Sequence, residues 1–313
     1  IIFVTHILEQ VYEVCDRITV LRNGELVGEY EVKDLPRVML VAKMMGKDFD
    51  DLADIKGDHA ELKEFIPVIE AEGLSHKGTI KPFNLQVHKG EVVGFTGLLG
   101  SGSSDLVRAI YGADKADSGK LKVNGKEVKI HAPIDAMKLG MAYLPEDRKK
   151  DGLCTRLSIA DNIALPNLDM LCEGPVGTVN RKKEKEMVDN AVKALKIKLP
   201  NAQVDAGSLS GGNQQKVVVA KWLARNSRVV IFDEPTRGID VAAKVEIYNL
   251  MNQLKQNGIG VMFVSSEMPE VMGMSDRIIV MCDGRITGEL SAEEATQDMI
   301  LTKATQFEQK TAS

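Results

Sequence analysis

Residues 97–106, GLLGSGSSDL, combine glycines and serines in a segment that follows a predicted buried strand and opens a predicted helix. In that context, backbone N–H groups at the helix N-terminus can surround a phosphate, and the helix dipole favours its negative charge. Ser104 is placed to ligate Mg²⁺ through its hydroxyl, whereas Ser103 stands where such loops carry a lysine. The loop alone is equally compatible with an ordinary strand-to-helix turn. The glycines that would let the backbone curl around an anion are Gly97, Gly100 and Gly102.

Two adjacent carboxylates follow a second apolar strand within residues 228–240, RVVIFDEPTRGID. The apolar residues from Val229 to Phe232 predict a core strand that brings Asp233 and Glu234 to its carboxyl end, where α/β sheets bind ligands. An aspartate there can hold Mg²⁺ through water, and a neighbouring glutamate can polarise an attacking water molecule. The alternative is that the two carboxylates only cap the strand.

A third segment, LSGGNQQKVVVAKWLA at 209–224, places a serine and two glycines directly before an apolar helix. Ser210, Gly211 and Gly212 would expose one hydroxyl and the unpaired N–H groups of the first helical turn, which suits phosphate. Capping a helix needs only the serine. The doubled glycine therefore predicts that another group approaches the backbone closely.

The end of the chain is similar in sequence to its beginning. Residues 1–29 align with residues 261–289 at a constant offset of 260 without gaps, and ten positions are identical. Both copies predict a strand, a helix, a strand, a tight turn and a final strand, with RNGE and CDGR as the turns. We expect an internal duplication, with residues 1–35 as the remnant of a first copy, 36–66 as a linker and 67–313 as the second copy. The identical pairs are Phe3/Phe263, Val4/Val264, Val11/Val271, Asp16/Asp276, Arg17/Arg277, Ile18/Ile278, Val20/Val280, Gly24/Gly284, Gly28/Gly288 and Glu29/Glu289.

The bulk composition argues against several classes of protein. Forty basic and 45 acidic side chains give a formal charge of −5, which offers no basic face for nucleic acid. No apolar run approaches the roughly 20 residues needed to cross a bilayer, and the start IIFVTHILEQ lacks the basic leader of a signal peptide. The four cysteines lie far apart, which predicts reduced thiols and no zinc site. Because Ile1 opens an expected buried strand, we expect the chain to begin inside a domain.

Together these motifs resemble the ATP-binding cassette of ABC transporters, over essentially the whole chain. GLLGSGSS is similar to the Walker A loop, LSGGNQQK to the signature motif, VVIFDEP to Walker B and GID at 238–240 to the D-loop. FVTH is similar to the segment that carries the switch histidine, here His6, and LPEDRKKDGL begins the Q-loop, with Glu146 in place of glutamine. With Asn213 replacing glutamine in the signature and no lysine in Walker A, the set is typical of fused double-cassette ATPases that import monosaccharides.

The resemblance implies an α/β fold, a P-loop NTPase ABC cassette with a RecA-like α/β core, an antiparallel β subdomain and a helical insert at about 148–205. In this family two cassettes dimerise head to tail, and each ATP lies between the Walker A loop of one and the signature motif of the other. One site would use His6 from the first copy. The other would use Glu234 as the catalytic carboxylate, with Ser104, Asp233 and Glu146 at Mg²⁺. The nucleotide-binding positions carried over are Gly97, Gly100, Ser101, Gly102, Ser103, Ser104, Ser210, Gly211, Gly212 and Asn213.

The second of these sites departs from the family pattern at three positions. Ser103 supplies no cation for the β- and γ-phosphates, Glu146 places a carboxylate where the family has an amide, and the duplication sets Ser266 opposite His6. Loss of a phosphate-clamping cation removes charge stabilisation in the transition state. We therefore expect nucleotide binding to survive on backbone N–H groups and fast turnover to be lost.

The resemblance implies the ATP-binding subunit of a monosaccharide importer of the ribose type, with ATP and Mg²⁺ as cofactors. Its partners would be the first cassette of the same polypeptide or a second copy, transmembrane permease subunits contacted near 146–163, and, indirectly, a sugar-binding protein. Its place would be peripheral, on the cytoplasmic face of the membrane, without nucleic acid. Two alternatives remain. A purely structural cassette would have no need of Glu234, and a soluble double-cassette protein acting on the ribosome or nucleic acid would favour a basic patch.

Overall fold

The computed structural model describes residues 1–5, 8–22, 24–36, 39–40, 43–44, 66–225 and 227–307. The helices are α1 Leu8–Val14, α2 Ser103–Tyr111, α3 Pro133–Lys138, α4 Ile159–Ala164, α5 Leu168–Leu171, α6 Arg181–Ala194, α7 Gly211–Leu223, α8 Val241–Gln256, α9 Met268–Met274 and α10 Gln297–Ala304. The strands are β1 Arg17–Arg22, β2 Glu25–Glu31, β3 Pro67–His76, β4 Ile80–His88, β5 Val92–Gly97, β6 Ser118–Val123, β7 Lys126–Val128, β8 Met141–Leu144, β9 Cys172–Glu173, β10 Thr178–Val179, β11 Val229–Asp233, β12 Gly260–Val264, β13 Arg277–Cys282 and β14 Arg285–Ser291.

The largest sheet has six strands in the order β14-β13-β5-β12-β11-β8. Its strands are parallel except for β14, which pairs antiparallel with β13 at the edge of the sheet. Strands β5, β8, β11 and β12 are short apolar runs that are buried along nearly their whole length, as expected for parallel strands covered on both faces. Their carboxyl ends lie at one edge, so the segments that follow β5, β8 and β11 meet there.

Apolar side chains from both faces of this sheet fill two cores. On one face, Phe95 packs with residues of α2 and of the four-stranded antiparallel sheet β4-β3-β6-β7. On the other face, Phe232 and Phe263 pack with residues of α7 and α8. All three phenylalanines are fully buried, and truncating such a side chain to alanine costs about 3–5 kcal/mol. The two cores therefore hold the sheet in place, and with it the edge at which the polar segments lie.

The chain between β8 and α7 is mainly helical. Ser158 caps α4 by accepting a hydrogen bond from the N–H of Asp161, at 3.0 Å. The two ends of the segment meet where the N–H of Ile159 donates to the carbonyl oxygen of Val204, at 3.1 Å. Helix α7 packs against α4 and α6 beneath it. Helices α4, α5 and α6 lie within the predicted insert at about 148–205, whose limits stay a prediction.

From the helix onwards, the two segments that are similar in sequence also have the same local structure. The strand predicted at the start of the first copy is wrong: residues 1–5 pair with no described strand, and Ile1, Ile2 and Val4 are exposed, whereas residues 261–264 lie in the buried strand β12. Elements α1, β1 and β2 begin and end 260 residues before α9, β13 and β14. Both hairpins have an irregular pairing at the same place, between Val20 and Leu21 in one and between Val280 and Met281 in the other. Because a register irregularity depends on local backbone geometry, its recurrence supports a duplication.

A side-chain contact recurs at the same spacing. The hydroxyl of Thr5 donates to Oε1 of Gln10 at 3.4 Å, and the hydroxyl of Ser265 donates to Oε2 of Glu270 at 3.1 Å. Each bond joins the residue that follows the first apolar segment of its copy to the helix after it, α1 in one and α9 in the other. The difference is that the second copy carries a charge where the first has a neutral amide.

The first hairpin has a small core of its own, formed by Ile18, Val20, Leu35 and Leu40, with Val241 at its edge. His6 and residues 45–65, which make up most of the predicted linker, lie outside the described residues. In the ranges given above, no helix is long and apolar enough to cross a bilayer. The four cysteines are free thiols, as their spacing predicted. The mixed sheet and its covering helices confirm the predicted α/β class.

Candidate functional site

The glycine loop, defined here as residues 97–102, connects β5 to α2 at the shared sheet edge. Gly100 and Gly102 have φ of 79° and 96°, in the left-handed region that side chains disfavour. A Cβ at Gly102 would lie 3.0 Å from Cδ1 of Ile80 and 3.1 Å from Cα of Gly284. The space around Gly100 is open within 4 Å. A side chain at Gly102 would therefore press on its neighbours, whereas the space at Gly100 has room for one.

The turn between β13 and β14 supports this loop from below. The N–H of Gly284 donates to the carbonyl oxygen of Ser101 at 2.9 Å, and Met281 pairs with Gly97 at the end of β5. A Cβ at Gly97 would collide with the Met281 carbonyl oxygen and with the side chain of Ser101. The loop is thus held by a hairpin distant in sequence.

The serines of the loop are bonded to each other and to the neighbouring strand. Ser103 is 8% exposed, and its hydroxyl shares a hydrogen bond of 3.0 Å with the hydroxyl of Ser101. Ser104 donates from its hydroxyl to Oδ1 of Asp233 at 2.7 Å. This contact joins the loop after β5 to the carboxylate at the end of β11.

Asp233 is a buried carboxylate with two hydroxyl donors. It is 1% exposed, and the hydroxyl of Tyr143 donates to its Oδ2 at 2.7 Å, opposite the bond from Ser104. Burial raises the pKa of Asp233, and the bonds from Ser104 and Tyr143 act in the opposite direction. Burial and the nearby Asp233 charge also raise the pKa of Tyr143, so this hydroxyl stays a neutral donor.

The pair Ser104 and Asp233 fits a magnesium ion. A hydroxyl and a carboxylate are hard oxygen ligands, and Mg²⁺ is held through one or two carboxylates plus water and substrate phosphate. Within the described part of the chain, no group of three or more His, Cys, Asp or Glu residues could hold a metal alone. The donor set therefore suits a metal site that phosphate oxygens complete.

Glu234, the second predicted carboxylate, is fixed by a backbone donor. Its Oε1 accepts a hydrogen bond of 2.7 Å from the N–H of Ser266, the residue that the duplication sets opposite His6. Burial raises the pKa of Glu234, and the bond from Ser266 opposes that shift. Its φ of 46° is unusual for a residue other than glycine and indicates local strain. The carboxylate is thus held in a defined place beside Asp233.

Glu270 joins the loops on either side of Glu234. It accepts hydrogen bonds from the hydroxyl of Thr236 at 2.6 Å, from the hydroxyl of Ser265 at 3.1 Å and from Nζ of Lys244 at 2.7 Å. Burial opposes its ionisation, but the Lys244 ammonium and the Thr236 bond outweigh burial and lower the pKa of Glu270. Sequence analysis missed this residue, because its partners come from separate segments.

A cavity of about 540 Å³ opens at this sheet edge. Glu146, the third predicted metal residue, forms an ion pair with Arg237 across it, and Arg108 is paired with Asp114 at 2.6 Å. Neither Arg237 nor Arg108 was singled out from the sequence. The lining residues are Ser104, Arg108, Tyr143, Pro145, Glu146, Asp147, Arg148, Lys149, Lys150, Asp151, Asp233 and Arg237.

The signature segment, residues 209–213, is outside this cavity lining. Helix α7 starts at Gly211, and the hydroxyl of Ser210 does not cap it but accepts from Nδ2 of Asn213 at 3.0 Å. Oδ1 of Asn213 accepts from the N–H of Lys198 at 2.9 Å. The close approach predicted from the doubled glycine exists within the chain. A Cβ at Gly211 would lie 2.8 Å from Nη2 of Arg148, and a Cβ at Gly212 2.7 Å from Cβ of Ala243.

Comparison with known proteins agrees with this geometry. Residues 80–237 match the ABC transporter family. The ribose import ATP-binding protein RbsA of Clostridium tetani is 42% identical over 307 residues, which are 98% of this chain and 60% of that protein. The protein of the same name from Bacillus subtilis is 43% identical over 305 residues, 97% of this chain and 61% of that protein. The chain therefore spans about 60% of the length of these curated relatives.

Solved structures show the same fold. A dimeric ATP-binding cassette in a post-hydrolysis state, bound to ADP and Pi, superimposes with a TM-score of 0.61 at 22% identity and covers 72% of this chain and 98% of that chain. This similarity confirms the predicted cassette fold. Because half of the sequence matches one family and that family's fold recurs here around the glycine loop and Asp233, the chain belongs to the ABC transporter family.

Proposed function

We propose that this chain is part of the ATP-binding subunit of a monosaccharide importer of the ribose type, with ATP and Mg²⁺ as cofactors. The observation that carries the proposal is the contact between Ser104 and Asp233 beside the glycine loop. A hydroxyl and a carboxylate in contact beside this loop support a triphosphate with its metal at this edge of the sheet. The relatives in which this arrangement would recur are named as ribose import ATP-binding proteins.

We further infer that the chain carries one cassette and the end of another. Residues 67–313 would form the second cassette, with its helical insert at about 148–205, and residues 1–35 the remnant of the first, joined through 36–66. The recurrence of helix, hairpin and register irregularity at a spacing of 260 residues supports this division. The length of the relatives, of which this chain covers 60%, is compatible with a further cassette body.

The two nucleotide sites of such a protein would be unequal. One would lie between the first cassette, with His6 as its switch residue, and the signature face at Ser210–Asn213. Support comes from the start of α7, where Ser210 is exposed and its hydroxyl caps no backbone N–H, so the amides of the first turn stay open to an anion.

The second site would be formed by the glycine loop, Asp233 and Glu234 of this chain. Ser104 and Asp233 would hold Mg²⁺, which supplies charge neutralisation at the phosphates when bound. Glu146 is paired with Arg237 in this structure, so its place at the metal requires that pair to open. Ser103 offers the phosphates a hydroxyl in place of an ammonium, which supports weak binding and slow hydrolysis at this site.

The partners of the whole protein are likewise proposed from the chain's surface. Residues 146–163, which we assign to permease contact, include the exposed side chains Asp147, Lys149, Lys150 and Leu157. The sugar-binding protein would act only through the permease. The subunit would sit peripherally on the cytoplasmic face of the membrane, and its net charge of −5 favours no nucleic acid partner.

The test of the composite site is a charge placed at the start of α7. In the full-length protein, Ser210→Arg puts a guanidinium where the γ-phosphate would approach, so we expect ATP turnover to fall by about 100-fold or more. The matched control is Ser208→Arg, which adds the same side chain to an exposed position two residues earlier, outside the helix start. Wild-type turnover in Ser210→Arg would contradict the composite site.

A non-hydrolysing role for the second site has one observation in its favour. Glu234 is bonded to the backbone N–H of Ser266, and the side chain of Ser266 offers no imidazole to act with it. We therefore expect the purified 313-residue chain to bind ATP weakly and to hydrolyse it negligibly. Multiple turnovers by this chain, measured as phosphate release and abolished in Glu234→Gln, would contradict that role.

A further inference from the structure

Arg148 reaches from the nucleotide cavity to a second functional loop. It lines the cavity beside Glu146, and its guanidinium donates from Nη1 to the carbonyl oxygen of Arg237 at 2.9 Å and from Nη2 to that of Gly238 at 3.3 Å. These carbonyls belong to the last residue before the D-loop and to its first residue, Gly238. A planar guanidinium that bonds two successive carbonyls fixes their orientation as well as their position.

The same guanidinium lies against the start of the signature helix. Nη2 of Arg148 is so close to Gly211 that a Cβ there would approach it to 2.8 Å, and the carbonyl oxygen of Gly238 would be 3.4 Å from that Cβ. Nε of Arg148 is buried and has no hydrogen-bond partner among the described residues, so the described hydrogen bonds of this guanidinium are those to the two carbonyls. Arg148 thus contacts both the start of α7 and the carbonyls of Arg237 and Gly238.

The segment that carries Arg148 is itself attached to α7 further along the helix. Asp147 caps its single wide helical turn by accepting from the N–H groups of Lys149 and Lys150. At the end of the turn, Nζ of Lys221 in α7 donates to the carbonyl oxygen of Gly152 at 2.6 Å. Residues 146–152, the Q-loop segment, therefore hold α7 both at its start and nearly three turns later.

We propose that Arg148 is a positioning residue, which sets the start of the signature helix against the D-loop and ties both to the Q-loop segment. The inference rests on the proposed function, because it assigns this spacing to the composite nucleotide site. A displacement of the Q-loop segment would move Arg148, and with it the first turn of α7 and the carbonyls of Arg237 and Gly238. The absence of a side chain at Gly211 is explained by the guanidinium that occupies its space.

The direct test is amide hydrogen exchange in the 313-residue chain without nucleotide. The reporting amides are those of Gln214, bonded to the Ser210 carbonyl at 2.8 Å, and Arg237, bonded to the Glu234 carbonyl at 3.2 Å. We expect Arg148→Gln to speed exchange at both by about tenfold, and Arg148→Lys, which can keep one carbonyl bond, by less. The matched control, Lys149→Gln, removes the same charge from the adjacent exposed residue and should leave both rates unchanged.

A second measurement connects the contact to the composite site. In the full-length protein, Arg148→Gln should lower the turnover number for ATP about tenfold while the Kd for ATP stays within about twofold, because the residue binds no nucleotide itself. Unchanged exchange at Gln214 or Arg237, or faster exchange throughout the sheet, would overturn the positioning role. Unchanged turnover in Ser210→Arg would instead contradict the proposed function, so the two failures are distinguishable.

Discussion

Replacing Tyr143 by phenylalanine removes one of the two hydroxyls that bond Asp233. The hydroxyl of Tyr143 donates to Oδ2 at 2.7 Å, and the carboxylate is 1% exposed, so water does not reach the vacated lone pair without rearrangement. A hydrogen bond to a charged group contributes about 1.5–3 kcal/mol to stability, against about 0.5–1.5 kcal/mol for a neutral pair. We expect Tyr143→Phe to lower the free energy of unfolding by about 2 kcal/mol at neutral pH.

The size of this effect should depend on pH. Because burial raises the pKa of Asp233 in the folded chain, the folded state takes up a proton before the unfolded state does as pH falls. The stability due to this protonation is fully present below the unfolded pKa and is lost as pH rises through the folded pKa. Without the Tyr143 bond, which favours the charged form, the pKa of Asp233 rises further. The cost of the substitution should therefore fall to about 1 kcal/mol near pH 4.

Urea unfolding at about pH 7.5 and about pH 4 measures the loss of stability caused by Tyr143→Phe at each pH, from the shift of the midpoint at constant slope. The matched control is Tyr111→Phe, because the ring of Tyr111 stacks on that of Tyr143 with centroids 5.1 Å apart. The described side-chain hydrogen bonds to Asp233 come from Ser104 and Tyr143, so this control leaves them in place. We expect this control to change stability by less than about 0.5 kcal/mol at either pH. A cost for Tyr143→Phe that is the same at both pH values, or equal to that of the control, would refute the reasoning.

Three further substitutions test the loop and the buried charges. Ser103→Lys should tighten ATP binding to the 313-residue chain about tenfold or more, because an ammonium adds charge-assisted hydrogen bonds to phosphate. A fluorescent-nucleotide titration measures this affinity, and equal affinity in the variant would contradict the importance of the missing cation. Gly102→Ala should lower the melting temperature more than Gly100→Ala, since both have positive φ, costing about 1–2 kcal/mol, but only Gly102 lacks room for a Cβ; equal shifts would contradict this. Glu91→Gln should cost about 2–3 kcal/mol at neutral pH, because it breaks a buried pair with Arg277. Burial opposes ionisation of Glu91, but the Arg277 guanidinium outweighs burial and lowers the pKa of Glu91. The loss of stability in Glu91→Gln is therefore fully present above the pKa of the unfolded state and disappears as pH falls through the pKa of the folded state. A loss of stability that persists in acid would contradict the ion pair as its cause.

Sequence periodicity predicted the elements that depend on local patterns. The apolar runs before Gly97 and before Asp233 are strands β5 and β11, and the helix after Gly212 is α7, because a short apolar run between polar segments has few other ways to be buried. The repeated hairpin also followed from sequence, since its turns carry the residues that tight turns require. The family resemblance, carried by the same motifs, is confirmed by the match over 80–237.

The contacts that organise the site did not follow from sequence. Tyr143 lies in an apolar strand, where its ring alone accounts for its presence, and only the fold shows that its hydroxyl meets Asp233. Two of the partners of Glu270, Thr236 and Lys244, are more than 20 residues away, and Arg148 bonds carbonyl oxygens that no sequence motif identifies. The doubled glycine predicted that another group approaches the backbone closely, and only the fold shows that Arg148 and Ala243 are the groups that do so in this structure. The predicted role of His6 as the switch histidine stays a prediction, because His6 lies outside the described residues.

The most direct test of the central claim is a structure of the full-length protein with a non-hydrolysable ATP analogue and Mg²⁺. Our account predicts a γ-phosphate within hydrogen-bond distance, about 2.7–3.2 Å, of the Ser210 hydroxyl or the N–H groups of Gly211 and Gly212, facing a glycine loop from another cassette. A bound analogue whose phosphates lie far from Ser210, with the start of α7 open to solvent, would contradict it.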